Sequence, residues 1–289
     1  MSIKAFSKIG KAIVETGSYH YQYVTKTATP TPSTAGFFVD MNQTSGQPKY
    51  NAFAGTQATF TPLVGEGNAG VYVGPYEDSK TKHLVKWQAL NANTSANTTS
   101  PDQVHLLDYL GFYPLIDCDD LDPQIMDNTQ TLPRYTDGIG VRIVAIVQAP
   151  IATTASLTIN YTNSNDNAKS STFNIIAGAS IGVCATGTGT ISAANTATPF
   201  WPLADGCAGV KRIDSVQFAA SAGGFICLAL VKPLASISLI EANVPVEKTF
   251  GVNDLTPPEI KSGAYLNFLI QRSGTGAGSL RSELLFINT

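Results

Sequence analysis

Hydrophobic and polar positions alternate along much of the second half of the chain, with a period of two. Leu157-Thr158-Ile159-Asn160-Tyr161-Thr162 sets an apolar residue at every other position, as a strand with one buried face requires. The polar stretch 163–170 supplies a hairpin loop, and 171–176 returns as the second strand. The run 141–147 is almost wholly apolar, the mark of a strand covered on both faces. Further strands are expected at 210–219, 225–231, 237–244, 264–271 and 280–287. The first half is more broken, with strand-like pieces at 36–39, 58–63, 71–73 and 83–87 between Gly, Asn and Pro turns. One helix is expected near 101–111. Ser100 is placed to cap it, Pro101 to open it and Gln103 to close a capping box, ahead of apolar Val104, Leu106, Leu107 and Leu110.

The expected fold is therefore all-β: an antiparallel, jelly-roll-like β-sandwich with an extended N-terminal arm and one short helix. The expected organisation is an arm over 1–34, a loop-rich region of short strands over 35–137 and a sandwich domain over 138–289. The arm joins an apolar-basic opening to Tyr19-His20-Tyr21-Gln22-Tyr23 and a Thr/Pro/Ser/Ala run, which together cannot bury themselves. It is either a frayed terminus or a segment that orders on assembly. In the second case Phe6, Ile9, Tyr19, Tyr21 and Tyr23 are its contact residues.

Composition narrows the function classes. Of 289 residues only 13% are charged, against about 25% in ordinary soluble domains, while Gly, Ser, Thr and Asn are abundant. Net charge is −3 and the Lys and Arg residues are scattered, so no electrostatic footprint for nucleic acid or a membrane surface is present. The lysines at 4, 8 and 11 interrupt any apolar leader, and no apolar run reaches the roughly 20 residues of a membrane span. Synthesis in a cytoplasm is expected. Cys118, Cys184, Cys207 and Cys227 are far apart and read as reduced, buried thiols.

Gly178-Ala179-Ser180-Ile181-Gly182 matches a nucleophile elbow by pattern, but no helical segment follows, and His20, His83 and His105 all precede the serine. The glycine-rich stretches 187–189 and 274–278 lack a following helix and read as turns. Asp117, Asp119, Asp120 and Asp122 form a dense acidic run whose repulsion must be offset by solvent, by Arg134 or by a structural cation such as Ca²⁺. No other cofactor is implied. Exposed aromatic side chains (the three tyrosines, Trp87, Phe200, Trp201) could stack on sugars, although core packing is the commoner fate of such residues.

The stretch Pro-Leu-Ile-Asp-Cys-Asp-Asp-Leu-Asp-Pro-Gln-Ile-Met-Asp-Asn-Thr-Gln-Thr-Leu-Pro-Arg-Tyr from Pro114, continuing to Pro150, resembles a segment in structural proteins of tailed bacteriophages. The opening Phe6-Ser7-Lys8-Ile9-Gly10-Lys11-Ala12 and the stretches Phe37-Phe38-Val39-Asp40 and Pro48-Lys49-Tyr50-Asn51 are similar to the same group. The resemblance implies a non-enzymatic place in the virion, on or near the head shell, and carries no active-site residue with it. The long spine helix of a principal shell protein is missing from the sequence, which favours a capsid decoration (cement) protein. Its expected partner is the major capsid protein, and its expected form a homo-oligomer, a trimer by preference. A tail or head-fibre adhesion module binding host glycan is the alternative, ahead of a glycan hydrolase using carboxylates within 117–127.

Overall fold

In a computed structural model, residues 18–27, 36–65, 70–77, 79–93, 102–185, 198–250, 257–272 and 278–289 are described. Among these residues sixteen β-strands run in chain order as β1 (Tyr19–Thr27), β2 (Phe38–Asp40), β3 (Ser45–Gln47), β4 (Thr61–Pro62), β5 (Lys82–Asn93), β6 (Asp102–Asp117), β7 (Gln124–Ile125) and β8 (Arg142–Ala149). They continue as β9 (Ala155–Asn163), β10 (Ala168–Ile175), β11 (Val210–Phe218), β12 (Phe225–Leu239), β13 (Val246–Thr249), β14 (Glu259–Ile260), β15 (Leu266–Gln271) and β16 (Gly278–Asn288). All the strand pairs are antiparallel, and the all-β sandwich expected from the period-two pattern is the fold. Beside the strands stands a single 3-10 turn, Met41–Gln43, among the described residues.

The strands form three sheets. Sheet I has the order β13-β5-β16-β1-β3 with β14 on β5, sheet II the order β2-β15-β6-β12-β8 with β4 on β6, and sheet III the order β10-β9-β11-β7. Sheet II lies at the centre. One of its faces contributes Val104, Leu106, Leu110, Ile143, Ala145 and Phe268 to the main core with sheets I and III. The other contributes Leu107, Tyr109, Phe112, Val144 and Ile146 to a second core closed by Phe38, Phe53, Leu63 and Cys184. Coverage on both faces explains why 141–147 reads as an unbroken apolar run. Sheet I has one wet face, and β1 accordingly alternates exposed and covered side chains.

Three expectations are corrected here. The segment expected as a helix near 101–111 is β6, the central strand of sheet II, paired with β12 along its length and with β15 over 103–108. Its capping signals are local, whereas its Val, Tyr, Phe and Ile content fills both faces of a sheet, and tertiary pairing overrides the local preference. Gly111, expected to end the helix, instead lets β4 cross closely: a Cβ there would meet the Thr61 carbonyl oxygen at 2.8 Å. The strand expected at 225–231 and the first part of the one expected at 237–244 are one strand, β12, which ends at Leu239, leaves 240–244 outside, and accommodates Pro233 with a register shift between Pro233 and Ala235. Within the expected arm, Tyr19–Thr27 is a sheet strand, paired residue by residue with β16 from Tyr19↔Ile287 to Lys26↔Leu280. Strands from either side of residue 138 also share sheets, as β5 pairs with β16 and β6 with β12.

Candidate docking surface

The wet face of sheet I is built by register. Residues directly opposite on antiparallel strands point to one face, so Tyr19, Tyr21 and Tyr23 of β1 share a surface with Ile287, Leu285 and Glu283 of β16. That surface extends to Lys86 and Gln88 of β5, opposite Leu285 and Glu283. The three tyrosines are 46%, 43% and 67% exposed, an unusual clustering of large rings on one strand. Tyr19 and Tyr21 meet edge to face at 5.9 Å between centroids, while Leu285 and Ile287 are buried opposite them. Beside the stripe, Tyr23, Gln88, Leu90, Arg281 and Glu283 line a shallow groove of about 220 Å³. Lys86 binds Glu247 at 2.9 Å, and that hydrogen bond raises its ammonium pKa.

The strand carrying the stripe is held firmly from behind. His20 packs edge to face on Tyr72 at 5.0 Å, and Gly74 lies so close under the imidazole that a Cβ would sit 2.9 Å from its Cβ. Buried Lys82 donates to the carbonyl oxygens of Val73, Gly74 and Pro75 at 2.6, 2.8 and 2.8 Å, with its ammonium 4.3 Å from the Tyr76 ring centroid. Burial lowers the Lys82 pKa to about 8. Three fixed carbonyls around one cation anchor the strap 70–76 to β5.

Other residues singled out by sequence are placed elsewhere. Phe6 and Ile9 lie outside the described residues, as do 186–197 and 273–277. The acidic run does not assemble into a cation cage. Among the described residues, no three His, Cys, Asp or Glu side chains converge as a metal site. Asp117 accepts the Asp119 N–H at 2.9 Å, and Asp120 accepts the Asp122 N–H at 3.0 Å, as local turns do. Asp119 accepts from the Ser221 hydroxyl and from the Gly223 N–H at 2.8 Å, bonds that lower its carboxyl pKa. Arg134 does not offset the acidic run. Its guanidinium is buried against Asp108, with Nη2 and Nε at 2.6 and 2.9 Å from the two carboxylate oxygens.

Trp87 and Trp201 are core residues. Trp87 is fully buried and donates to the Ser282 hydroxyl at 2.7 Å; Trp201 is buried and donates to the Ser171 hydroxyl at 2.8 Å. Neither offers a ring to a sugar. The four cysteines are free thiols, three of them buried. Burial pushes the Cys118 thiol up to about 12 and those of Cys184 and Cys227 well above the usual range, which makes them unreactive. After Gly178–Gly182 the chain makes isolated bridges at Val183 and Cys184 to Val39 and Ile146, and no helix. The sequence reading missed the β16 half of the surface, Leu285, Ile287, Arg281 and Glu283. Only the pairing of distant strands brings it beside the tyrosines.

No protein-family model and no curated protein matches the chain. Among solved structures it is weakly similar to those of infectious bursal disease virus particles. The infectious bursal disease virus VP2 subviral particle matches with 8% identity over 97% of this chain and 86% of that one, at a TM-score of 0.19. T=1 particles derived from infectious bursal virus match with 8% identity over 97% and 83%, at a TM-score of 0.20. The Gt strain of infectious bursal disease virus matches with 8% identity over 94% and 81%, at 0.18.

Proposed function

We propose that this chain is a non-enzymatic virion structural protein of decoration (cement) type, which binds the assembled phage shell through the wet face of sheet I and stabilises it. The observation that carries the reading is the stripe of Tyr19, Tyr21 and Tyr23 on a rigid strand. Such rings supply large contact area at low entropic cost and are enriched in interface cores. The resemblance of 114–150 to tailed-phage structural proteins and the low charge agree with a protein that packs against many neighbours. The buried ionisable groups support it too: Asp108, Arg134 and Lys82 are all engaged in holding chain segments together. The partner is the major capsid protein, the location is the virion, and a trimer is the preferred assembly. Stabilisation follows from mass action. A ligand that binds only the closed shell adds RT ln(1 + [L]/Kd), about 2.7 kcal/mol per site at a hundredfold excess over Kd.

Replacing Tyr19, Tyr21 and Tyr23 together by serine tests the docking face. Retention on purified shells in a sedimentation assay is expected to weaken by about 30-fold or more, two or three rings each contributing about 1 kcal/mol or above. Because Tyr19 and Tyr21 are more than half covered and lie opposite buried Leu285 and Ile287, the denaturation midpoint of the isolated chain should also fall, and retention is compared where the variant is still fully folded. Undiminished retention would remove this face from the reading.

A further inference from the structure

Asp40 is an anomaly of the core. It ends β2, is fully buried, and its Oδ2 has no hydrogen-bond partner among the described residues. Its Oδ1 accepts from the Tyr109 hydroxyl at 2.6 Å and from Asn42 Nδ2 at 3.0 Å. The charged and titratable groups that face it are Lys26 of β1, Tyr109 of β6, Tyr265 just before β15, Cys184, and Cys227 of β12. Lys26 is the cation among them, and it is engaged elsewhere: its ammonium donates to the carbonyl oxygens of Thr44 and Pro48. An ionised Asp40, held by the Tyr109 hydroxyl and by the side chain and N–H of Asn42, would therefore keep an underpaired charged oxygen in the core, a costly arrangement.

The position makes this consequential. Residues 40–48 pass from sheet II to sheet I, where β3 pairs with β1. Lys26 clamps this crossing from β1. Asn42 ties it to sheet II, its Oδ1 accepting from the Tyr265 hydroxyl at 3.1 Å and from Asn267 Nδ2 at 2.6 Å. A charge on Asp40 must draw in water or pull Lys26 from its carbonyls, and either move loosens the crossing.

We propose that Asp40 is a proton-binding latch: the crossing between sheets II and I is closed when its carboxyl is protonated and loosened when it ionises. The inference stands apart from the docking role proposed above, because it concerns a proton site inside the fold. The direction of titration agrees, since burial raises the Asp40 carboxyl to about 6, against the pull of its Tyr109 and Asn42 hydrogen bonds. The folded chain then holds a proton that the unfolded chain has released. The contribution of this group to stability is greatest at low pH and falls as pH rises from the ordinary carboxylate value through about 6, with little change beyond.

Hydrogen exchange of residues 38–48 in the full chain, corrected for intrinsic rates, tests the latch. Between about pH 5 and about pH 7.5, protection is expected to fall by about tenfold or more, while Asp40→Asn shows no such pH dependence. Equal protection at both pH values, or the same fall in the asparagine variant, would overturn the proposal. If Asp40→Asn does not fold, Tyr109→Phe serves in its place. Removing the hydroxyl that donates to Oδ1 should move the midpoint of the protection change to higher pH, and an unmoved midpoint would equally overturn it. The infrared difference in D₂O between the wild type and Asp40→Asn should show a protonated carboxyl at about pH 5 that disappears by about pH 7.5; its absence from the difference would contradict the latch.

Discussion

Arg134→Met is expected to cost the fold about 3–5 kcal/mol, a large fraction of the about 5–15 kcal/mol typical of whole-protein stability. The Asp108 carboxylate is wholly buried, and burial pushes its pKa up against the pull of the guanidinium and the Tyr265 N–H. Arg134 supplies two of its hydrogen bonds and also donates to the carbonyl oxygens of Leu63 and Tyr109, both at 3.0 Å. One side chain thereby ties β6 to the segments on its second face. Methionine keeps the bulk and removes every donor, leaving a buried carboxylate short of partners. Lysine should rescue little, because a single ammonium cannot reproduce the planar fork. Removing both charges, with Asp108→Leu added to Arg134→Met, should recover part of the loss. Denaturant midpoints at constant slope measure all three variants. A loss below about 1 kcal/mol for Arg134→Met would mean that water reaches Asp108 and that the pair is not a buried staple.

Trp87→Ala is expected to be nearly as damaging, about 3–5 kcal/mol. Its ring is fully buried between sheets I and II, 6.0 Å from the Phe268 ring on β15, and its indole N–H satisfies Ser282 on the neighbouring β16. Alanine leaves a void at the seam of two sheets and removes the donor to Ser282, whose hydroxyl keeps only its own bond to the Gln88 carbonyl oxygen at 3.1 Å. Phenylalanine separates the two effects by refilling most of the space without the donor, and about 1–2 kcal/mol should remain as the lost bond and residual cavity. Near-neutral behaviour of Trp87→Ala would show that this seam is not close-packed.

The strands of the second half are legible in the sequence because each one is specified by its own two-residue alternation, as Leu157-Thr158-Ile159 shows. β6 was not legible for the opposite reason. A strand covered on both faces loses its alternation, and what remains, Ser-Pro-x-Gln ahead of spaced leucines, imitates a helix start. The arm was misread because β1 alternates aromatic with polar residues and finds its partner, β16, more than 250 residues away. No local signal announces that contact. The same limit hid the polar core. Asp108 and Arg134 look like ordinary surface charges until sheet II brings them together, and Asp40 closes an apolar run whose burial only the fold establishes. Of the candidate surface, the tyrosines were visible as a pattern; their β16 neighbours were not.

The proposed role is that this chain coats a shell. Copy number tests it most directly: particles purified on a density gradient, with this chain quantified against the principal shell protein by mass spectrometry. A shell-coating protein gives a symmetry-related ratio amounting to hundreds of copies per particle. A few copies per particle, or none, would contradict it.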